Sequence, residues 1–418
     1  MLVIERLTTR AEGLGRAEGP DGDVTVARAL PGEVVAGAVA EGRIAQPRIL
    51  TPSPRRVSAP CRHYRACGGC ALQHADDEFV ADWKQDVVRR ALAGQGLQAP
   101  FRPLHVSPPA SRRRATLSGR RLKSGALVGF HGRASDSLTA VPDCLLLAPA
   151  LMQALPALEA LVAAGAARRG EMALAVTALP GGVDVAARGG RVLDAGLRAA
   201  LPGIAAAHRL ARLTWDGELL WQPAPPVLPI GRARVPLPPG AFLQATPQAE
   251  AALLAAMREA VAGAARVADL FAGCGTFALP LAEAAEVHAV EGEEAAVRAL
   301  DAGWRGAQGL KRVTTERRDL FRRPLTPDEL SRFDALVIDP PRAGAAAQMA
   351  EIAQAATLGK APGVVAMVSC NPVTFARDAA VLVAAGFCLE WVQVVDQFRW
   401  SSHVELAARL VRAHMPRN

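Results

Sequence analysis

Four apolar residues in a row, Val365-Ala366-Met367-Val368, run into Ser369-Cys370-Asn371-Pro372. Such a run reads as a strand buried on both faces, and Pro372 fits the first turn of a following helix. Further strands are expected at 267–270, before a glycine turn; at 287–290, ending on Glu291; near 313–316, with Asp319 after it; and at 335–338, ending on Asp339-Pro340-Pro341-Arg342. Helical periodicity fills the gaps at about 247–262, 346–357 and 372–385, and two last strands are expected around 389–395 and 404–410. Strands alternating with helices predict an α/β fold, a doubly wound sheet closing on an antiparallel hairpin, with ligands at the carboxyl ends of its strands. Cys370 lies at such an end.

The upstream pattern differs. Residues 1–56 carry short alternating runs separated by glycine turns, as a small closed β-barrel would. Residues 75–97 show helical spacing through Phe79, Trp83, Val87, Val88 and Leu92, ending at Gly94 and Gly96. The Ala/Leu/Gly-rich 150–222 stretch gives no clear signal, and the proline-rich 223–239 stretch reads as a linker or docking strap. Three domains are expected, at 1–56, 57–228 and 229–418, with a 75–105 helix region packing on the third.

Composition narrows the class. The 418 residues are 50% apolar with mean hydropathy +0.15, enough for ordinary packed cores. The chain has no run of 18 apolar residues, and its first residues lack the order of a signal peptide, so a cytoplasmic monomer without membrane contact is expected. Seven cysteines, an odd number in a long chain, argue for ligands or a nucleophile over a disulfide framework. Residues 229–418 carry 20 basic and 20 acidic side chains, so the whole net charge of +8 lies in residues 1–228. Arg112, Arg113, Arg114, Arg120, Arg121, Lys123 and Arg133 fall within 23 residues that contain no acid, a pattern that calls for nucleic acid.

Two clusters carry candidate chemistry besides Cys370. Cys61, Cys67 and Cys70 form a CxxxxxCxxC with two glycines between the last two thiols, and Cys144 can supply a fourth. Spacing alone leaves an iron–sulfur cluster and a Cys₃His zinc site using His63 or His74 equally open. The radical S-adenosylmethionine spacing, CxxxCxxC, is not present. The second cluster is Asp269-Leu270-Phe271-Ala272-Gly273-Cys274-Gly275-Thr276, a glycine turn opening a helix near Thr276, with Glu291 about 20 residues beyond it to receive a ribose diol. The dinucleotide GxGxxG is incomplete, which favours S-adenosylmethionine over NAD.

Four stretches in order, CxxxxxCGGCxLQH (61–74), DLFAGCGTF (269–277), DPPRAG (339–344) and SCNPxTxARD (369–378), closing on Asp396-Gln397-Phe398 and His403-Val404-Glu405, resemble the class I 5-methyluridine RNA methyltransferases. The iron–sulfur 23S rRNA uracil-C5 enzymes are the nearest match. Gly13-Leu14-Gly15-Arg16 and 29–35 resemble a TRAM domain, an oligonucleotide-binding barrel. The resemblance implies a [4Fe-4S] cluster on Cys61, Cys67, Cys70 and Cys144 within a central RNA-binding domain. It implies S-adenosylmethionine contacts at Gln244, Phe271, Thr276, Glu291, Asp319 and Asp339, and RNA, rRNA before tRNA, as substrate. Cys274, Thr276 and Asp319 stand where the family often has Met, Asn and Asn, and 396–402 departs from its Asp-x-Phe-Pro-His-Thr.

The expected chemistry follows from uracil, whose C5 is a poor nucleophile until a thiolate adds at C6. Cys370 is assigned that addition, aided by the helix N-terminus at Asn371 and Pro372, and Glu405 the removal of the C5 proton. Rival readings are a tRNA uracil-C5 methyltransferase, an amino-methyltransferase using Asp339-Pro340-Pro341, and a non-catalytic RNA-binding or electron-transfer protein. A cytosine-C5 enzyme would place a cysteine where Arg342 stands.

Overall fold

A computed structural model of the chain describes residues 1–16 and 22–412. Its largest sheet has eight strands, in the order Val313–Arg317, Glu286–Glu291, Arg266–Leu270, Ala335–Ile338, Val364–Ser369, Leu406–Arg412, Phe387–Asp396 and His105–Val106. The first five are parallel, whereas Leu406–Arg412 runs antiparallel between its two neighbours. The doubly wound sheet and its terminal hairpin are those the apolar pattern predicts. Glu405 immediately precedes the last strand instead of lying within it. Helices Pro372–Ala384 and Ala346–Thr357 cover one face, and Pro247–Ala260 and Glu294–Arg305 the other. Central strands such as Ala335–Ile338 are therefore buried along their whole length. Each such side chain contributes about 1.5–3 kcal/mol, which is why no polar alternation marks these strands.

The helix expected at 75–97 spans Asp77–Ala93, capped by Asp76, whose Oδ1 accepts from the Phe79 N–H at 2.7 Å. It buries Val80, Trp83, Val87, Val88 and Leu92 in the core that also holds Phe375 and Leu382 of the Pro372–Ala384 helix. Lys84 on its inner face is fully buried and donates to Asp396 Oδ1 at 2.6 Å and to the Phe398 carbonyl at 3.0 Å. That ion pair holds the 396–405 loop, which ends at Glu405.

The proline-rich stretch is not a linker. It folds as a hairpin, Val227–Ile230 against Ala233–Pro236. A two-stranded ribbon leaves alternate N–H positions unpaired, so Pro229 and Pro236 are accommodated. Val235 packs so closely on the Glu294–Arg305 helix that a Cβ at Gly303 would come within 2.7 Å of it.

The 150–222 stretch supplies much of a second sheet, of seven strands in the order Leu138–Ala140, Ala126–His131, Arg114–Arg121, Glu171–Leu179, Gly182–Arg188, Arg212–Trp215 and Glu218–Trp221. Helices Leu155–Gly165 and Ala195–Ala207 share its core. The buried Trp215 ring sits against Gly165 and Gly190, where a Cβ would lie 2.0 and 2.1 Å from ring carbons. The first fifty residues form two small sheets, of three and four strands, and Leu2, Ile4, Val24, Val26 and Val35 of both join one core. Among the described residues the hydrogen-bonding pattern leaves these as two sheets, where a single closed barrel is expected from the sequence. No helix among the described residues is long and apolar enough to cross a membrane.

Candidate active site

Register brings the predicted residues to one sheet edge. Leu270 pairs with Ile338, Ile338 with Met367, and Ser369 with Leu406. Phe271, Asp339 and Cys370 therefore leave three adjacent strands side by side, and Glu405 enters the fourth beside them. Glu405 is 4% exposed, and its Oε2 accepts from Gln397 Nε2 at 2.7 Å. Gln397 Nε2 also donates to Gln244 Oε1 at 2.8 Å, and Gln244 Nε2 to Asp339 Oδ2 at 3.2 Å. Burial pushes both carboxyls above the ordinary carboxylate range, and Asp339 raises Glu405 further.

The Cys370 thiol is also pushed up, first by burial and then by Glu405 and Asp339, while Arg342 opposes. This corrects the expectation of a thiol acidified by the helix behind it. Asn371 caps that helix itself, its Oδ1 accepting from the Val373 N–H at 3.1 Å, and burial is the largest influence on the thiol. The positive group nearby is Arg342, which donates to His403 Nδ1 at 2.9 Å. Its backbone carbonyl is held by Asn371 Nδ2 at 3.0 Å and Thr374 Oγ1 at 3.2 Å.

The glycine loop departs from expectation in its helix. The helix begins at Ala278 and has four residues, so the loop backbone, not a long helix dipole, shapes the site. Phe271, at φ 63°, and Gly273 and Gly275, at 55° and 94°, turn left-handed. Glu291 ends its strand and accepts from the Gly273 N–H at 2.9 Å and the Glu293 N–H at 2.8 Å. Thr276 is half-buried beyond the loop. Asp319 is exposed and accepts from the Phe321 N–H at 3.0 Å. The Phe321 ring lies 5.5 Å from Phe271, centroid to centroid. At the foot of the loop Asp269 is fully buried with neither carboxylate oxygen hydrogen-bonded, and burial with Asp339 and Glu291 holds its pKa well up. Three carboxylates around one loop fit a cationic ligand, as the sulfonium and ammonium of S-adenosylmethionine would be. Asp269 and Phe321 were missed as site residues; an acid among the apolar residues of 267–270 was the available signal for the first.

A cavity of about 620 Å³ opens at Cys370, lined by Arg342, Asn371, Ser402 and His403 and reaching Arg6, Arg10 and Arg90. A second, of about 330 Å³, is lined by Cys61, Cys67, Cys70, Cys144 and Arg112, and by the same Ser402 and His403. Among the described residues no three Cys, His, Asp or Glu side chains are drawn together tightly enough for a single metal ion. The four thiols line the second cavity without converging on one point. His63 Nε2 is 2.6 Å from Asp143 Oδ1, and His74 Nδ1 is 2.6 Å from the Tyr64 hydroxyl. Neither ring lines the cavity.

The basic stretch is not unopposed. Arg113 is buried against Glu250 and the Gln244 carbonyl, Arg120 meets Glu171 at 2.7 Å, and Arg133 lies 3.9 Å from Glu12 and donates to the Arg10 carbonyl at 3.0 Å. These acids are distant in sequence and could not be seen from the stretch itself. Arg112 and Arg114 lie over the Phe398 and Phe242 rings at 5.6 and 4.1 Å. Burial, with Arg112 and Arg113 adding, lowers Arg114 to about 10.

The sheet order, the glycine loop and the acidic strand ends define a class I methyltransferase. No family model matches the chain. An uncharacterized RNA methyltransferase of Brucella suis is 44% identical over 402 residues, covering 96% of each chain. The 23S rRNA (uracil(1939)-C(5))-methyltransferase RlmD of Halomonas elongata is 37% identical over 97% of this chain and 88% of its own. The tRNA (uracil-54, C5)-methyltransferase of Pyrococcus abyssi, solved with S-adenosyl-L-homocysteine, superposes with a TM-score of 0.74 over 98% of both chains at 21% identity, which shows the shared fold. The chain belongs to the S-adenosylmethionine-dependent RNA (uracil-C5) methyltransferase family.

Proposed function

We propose that the chain methylates C5 of a uridine in 23S rRNA. The observation that carries the chemistry is the meeting of Cys370, Asp339 and Glu405 at one sheet edge, a nucleophile and a buried acceptor on neighbouring strands. The likeness to the Halomonas elongata enzyme supports the choice of RNA. The Cys370 sulfur adds to uracil C6, and the electron pair of the C5–C6 double bond moves toward C5. S-adenosylmethionine, when bound, supplies the methyl group to C5. Glu405 then takes the C5 proton, the C5–H pair re-forms C5=C6, and the C6–S bond breaks with its electrons returning to Cys370. Arg342 offsets the thiolate charge. Asp339, Asp269, Glu291, Gln244, Phe271, Thr276 and Asp319 are assigned to hold the cofactor.

Cys61, Cys67, Cys70 and Cys144 are assigned a [4Fe-4S] cluster, supported by a soft four-thiol donor set around one cavity. Arg6, Arg10 and Arg90, which meet no carboxylate among the described residues, form with Arg342 the RNA track into Cys370, joining the N-terminal sheets to the catalytic domain. Residues 1–56 are assigned as a TRAM-like RNA-binding domain, 57–228 as the cluster and RNA domain and 229–418 as the methyltransferase domain. The test is mass-spectrometric mapping of 5-methyluridine in 23S rRNA and tRNA from cells with and without the gene. Loss of one rRNA 5-methyluridine is expected; loss confined to tRNA would transfer the reading to a tRNA enzyme.

A further inference from the structure

We propose that Gln397 is a positioning residue that keeps Glu405 in its proton-accepting form and links it to the cofactor side of the site; this rests on Glu405 as the base. Hydrogen-bond direction fixes the arrangement. The Ala245 backbone N–H can only donate, and it meets Gln397 Oε1 at 2.6 Å. That contact decides which end of the amide is oxygen. Gln397 Nε2 must then face Gln244 Oε1 and Glu405 Oε2, and Gln244 Nε2 must face Asp339. One backbone N–H thus sets the polarity of a chain that presents an amide donor to each of two buried carboxyls.

Gln397 and Gln244 are 2% and 3% exposed, so water does not replace either donor. The other charged or titratable groups facing Glu405 are Asp339, Cys370, Arg114 and Arg342. Asp339 opposes ionisation of Glu405 and the two arginines favour it, but the hydrogen bond to its carboxylate comes from Gln397. An N–H donor favours the anion, the form that can receive the C5 proton. Without that donor Glu405 would hold its proton to higher pH and be a weaker acceptor at any pH below that point.

Release of a preformed Cys370–RNA adduct isolates this step, since it requires proton removal from C5 but no new ionisation of Cys370. Its rate is measured against pH for the full-length enzyme and for Gln397→Met and Gln397→Glu. The expected result is an acid limb moved to higher pH by roughly one unit in Gln397→Met, slowing release about tenfold below the limb. Gln397→Glu, which keeps the shape of glutamine but places a second carboxyl beside Glu405, moves it further; it also carries the test if the methionine variant does not fold. Adduct formation is unchanged in Gln397→Met, the variant in which formation is compared with release. An unmoved limb, or formation and release slowed in parallel, overturns the proposal, because a merely structural residue would act that way. Glu405→Gln run beside them separates the two levels: normal release would remove the base itself, whereas a trapped adduct with an unmoved limb in the Gln397 variants would remove only the role of Gln397.

Discussion

Cys370 and the Cys61, Cys67, Cys70 and Cys144 set are two half-buried thiol sites whose cavities share Ser402 and His403, yet their surroundings differ in kind. Cys370 faces two buried carboxyls and one arginine. The four other thiols face one another and Arg112, with burial and then mutual repulsion raising Cys67 and Cys70. A single thiol beside proton acceptors suits a bond that forms and breaks in each turnover. Four thiols gathered around one cavity, with Cys67 and Cys70 raised by burial and by their neighbours, suit a resident cationic centre. The difference lies in the neighbours, not in the burial.

The largest effect expected from this contrast comes from exchanging the lesions. Cys370→Ala should abolish 5-methyluridine formation while leaving iron and sulfide per chain at the parent level. Cys144→Ser should lose most of the iron. Elemental analysis of anaerobically purified proteins decides it, and parallel loss of iron in both variants would erase the distinction.

The two sites are also joined mechanically, because the 396–405 loop borders both. The Ala71 and Leu72 N–H groups, just past Cys70, donate to the Trp400 carbonyl at 2.7 and 3.0 Å, and Lys84 holds Asp396 on the other side. Lys84→Met strands Asp396 in the interior and should destabilise the protein by about 3–5 kcal/mol. Equilibrium denaturation reads this directly; a loss below about 1 kcal/mol would mean the loop is held elsewhere.

A smaller effect separates charges that meet RNA from charges that meet protein. Replacing Arg6, Arg10 and Arg90 by Ala should flatten the slope of log K against log salt by up to about 2, at roughly 0.7 per phosphate on a single strand. Arg113→Ala should act on stability instead, since Glu250 already neutralises it. If the Arg113 substitution flattens the slope and the triple one does not, the RNA track runs along 111–133 after all.

The smallest concerns pH. The folded-state pKa of Glu405 is raised above its unfolded value of 4.5, so the folded state binds more protons between the two, and stability falls as pH rises through that window. Glu405→Gln removes this cost. Its melting temperature should exceed the parent's at alkaline pH and converge with it at pH values below the unfolded pKa. Identical pH profiles would mean that the carboxyl is not strained by burial.

What the chain discloses before folding follows from the range of its interactions. Asp339, Cys370 and Glu291 were legible because parallel strands end where ligands bind, and each stands at or just past the end of a largely apolar strand. The Cys61–Cys70 spacing was legible because a loop of ten residues is local. Lys84 with Asp396, Arg113 with Glu250 and Gln397 with Gln244 were not, since each pair lies more than a hundred residues apart in the chain. The second sheet was hidden for another reason: its strands, such as Glu171–Leu179, alternate Ala with larger apolar residues, so the solvent face carries little polar contrast. The 227–236 hairpin was obscured by prolines that an edge ribbon accommodates.

If Cys370 and Glu405 divide addition and release between them, the fate of the RNA in Glu405→Gln reveals it. Intact-mass analysis under denaturing conditions should find this variant covalently joined to an RNA that already carries the transferred methyl. Cys370→Ala should carry no RNA at all. Normal turnover by Glu405→Gln, or the same adduct on Cys370→Ala, would contradict the account.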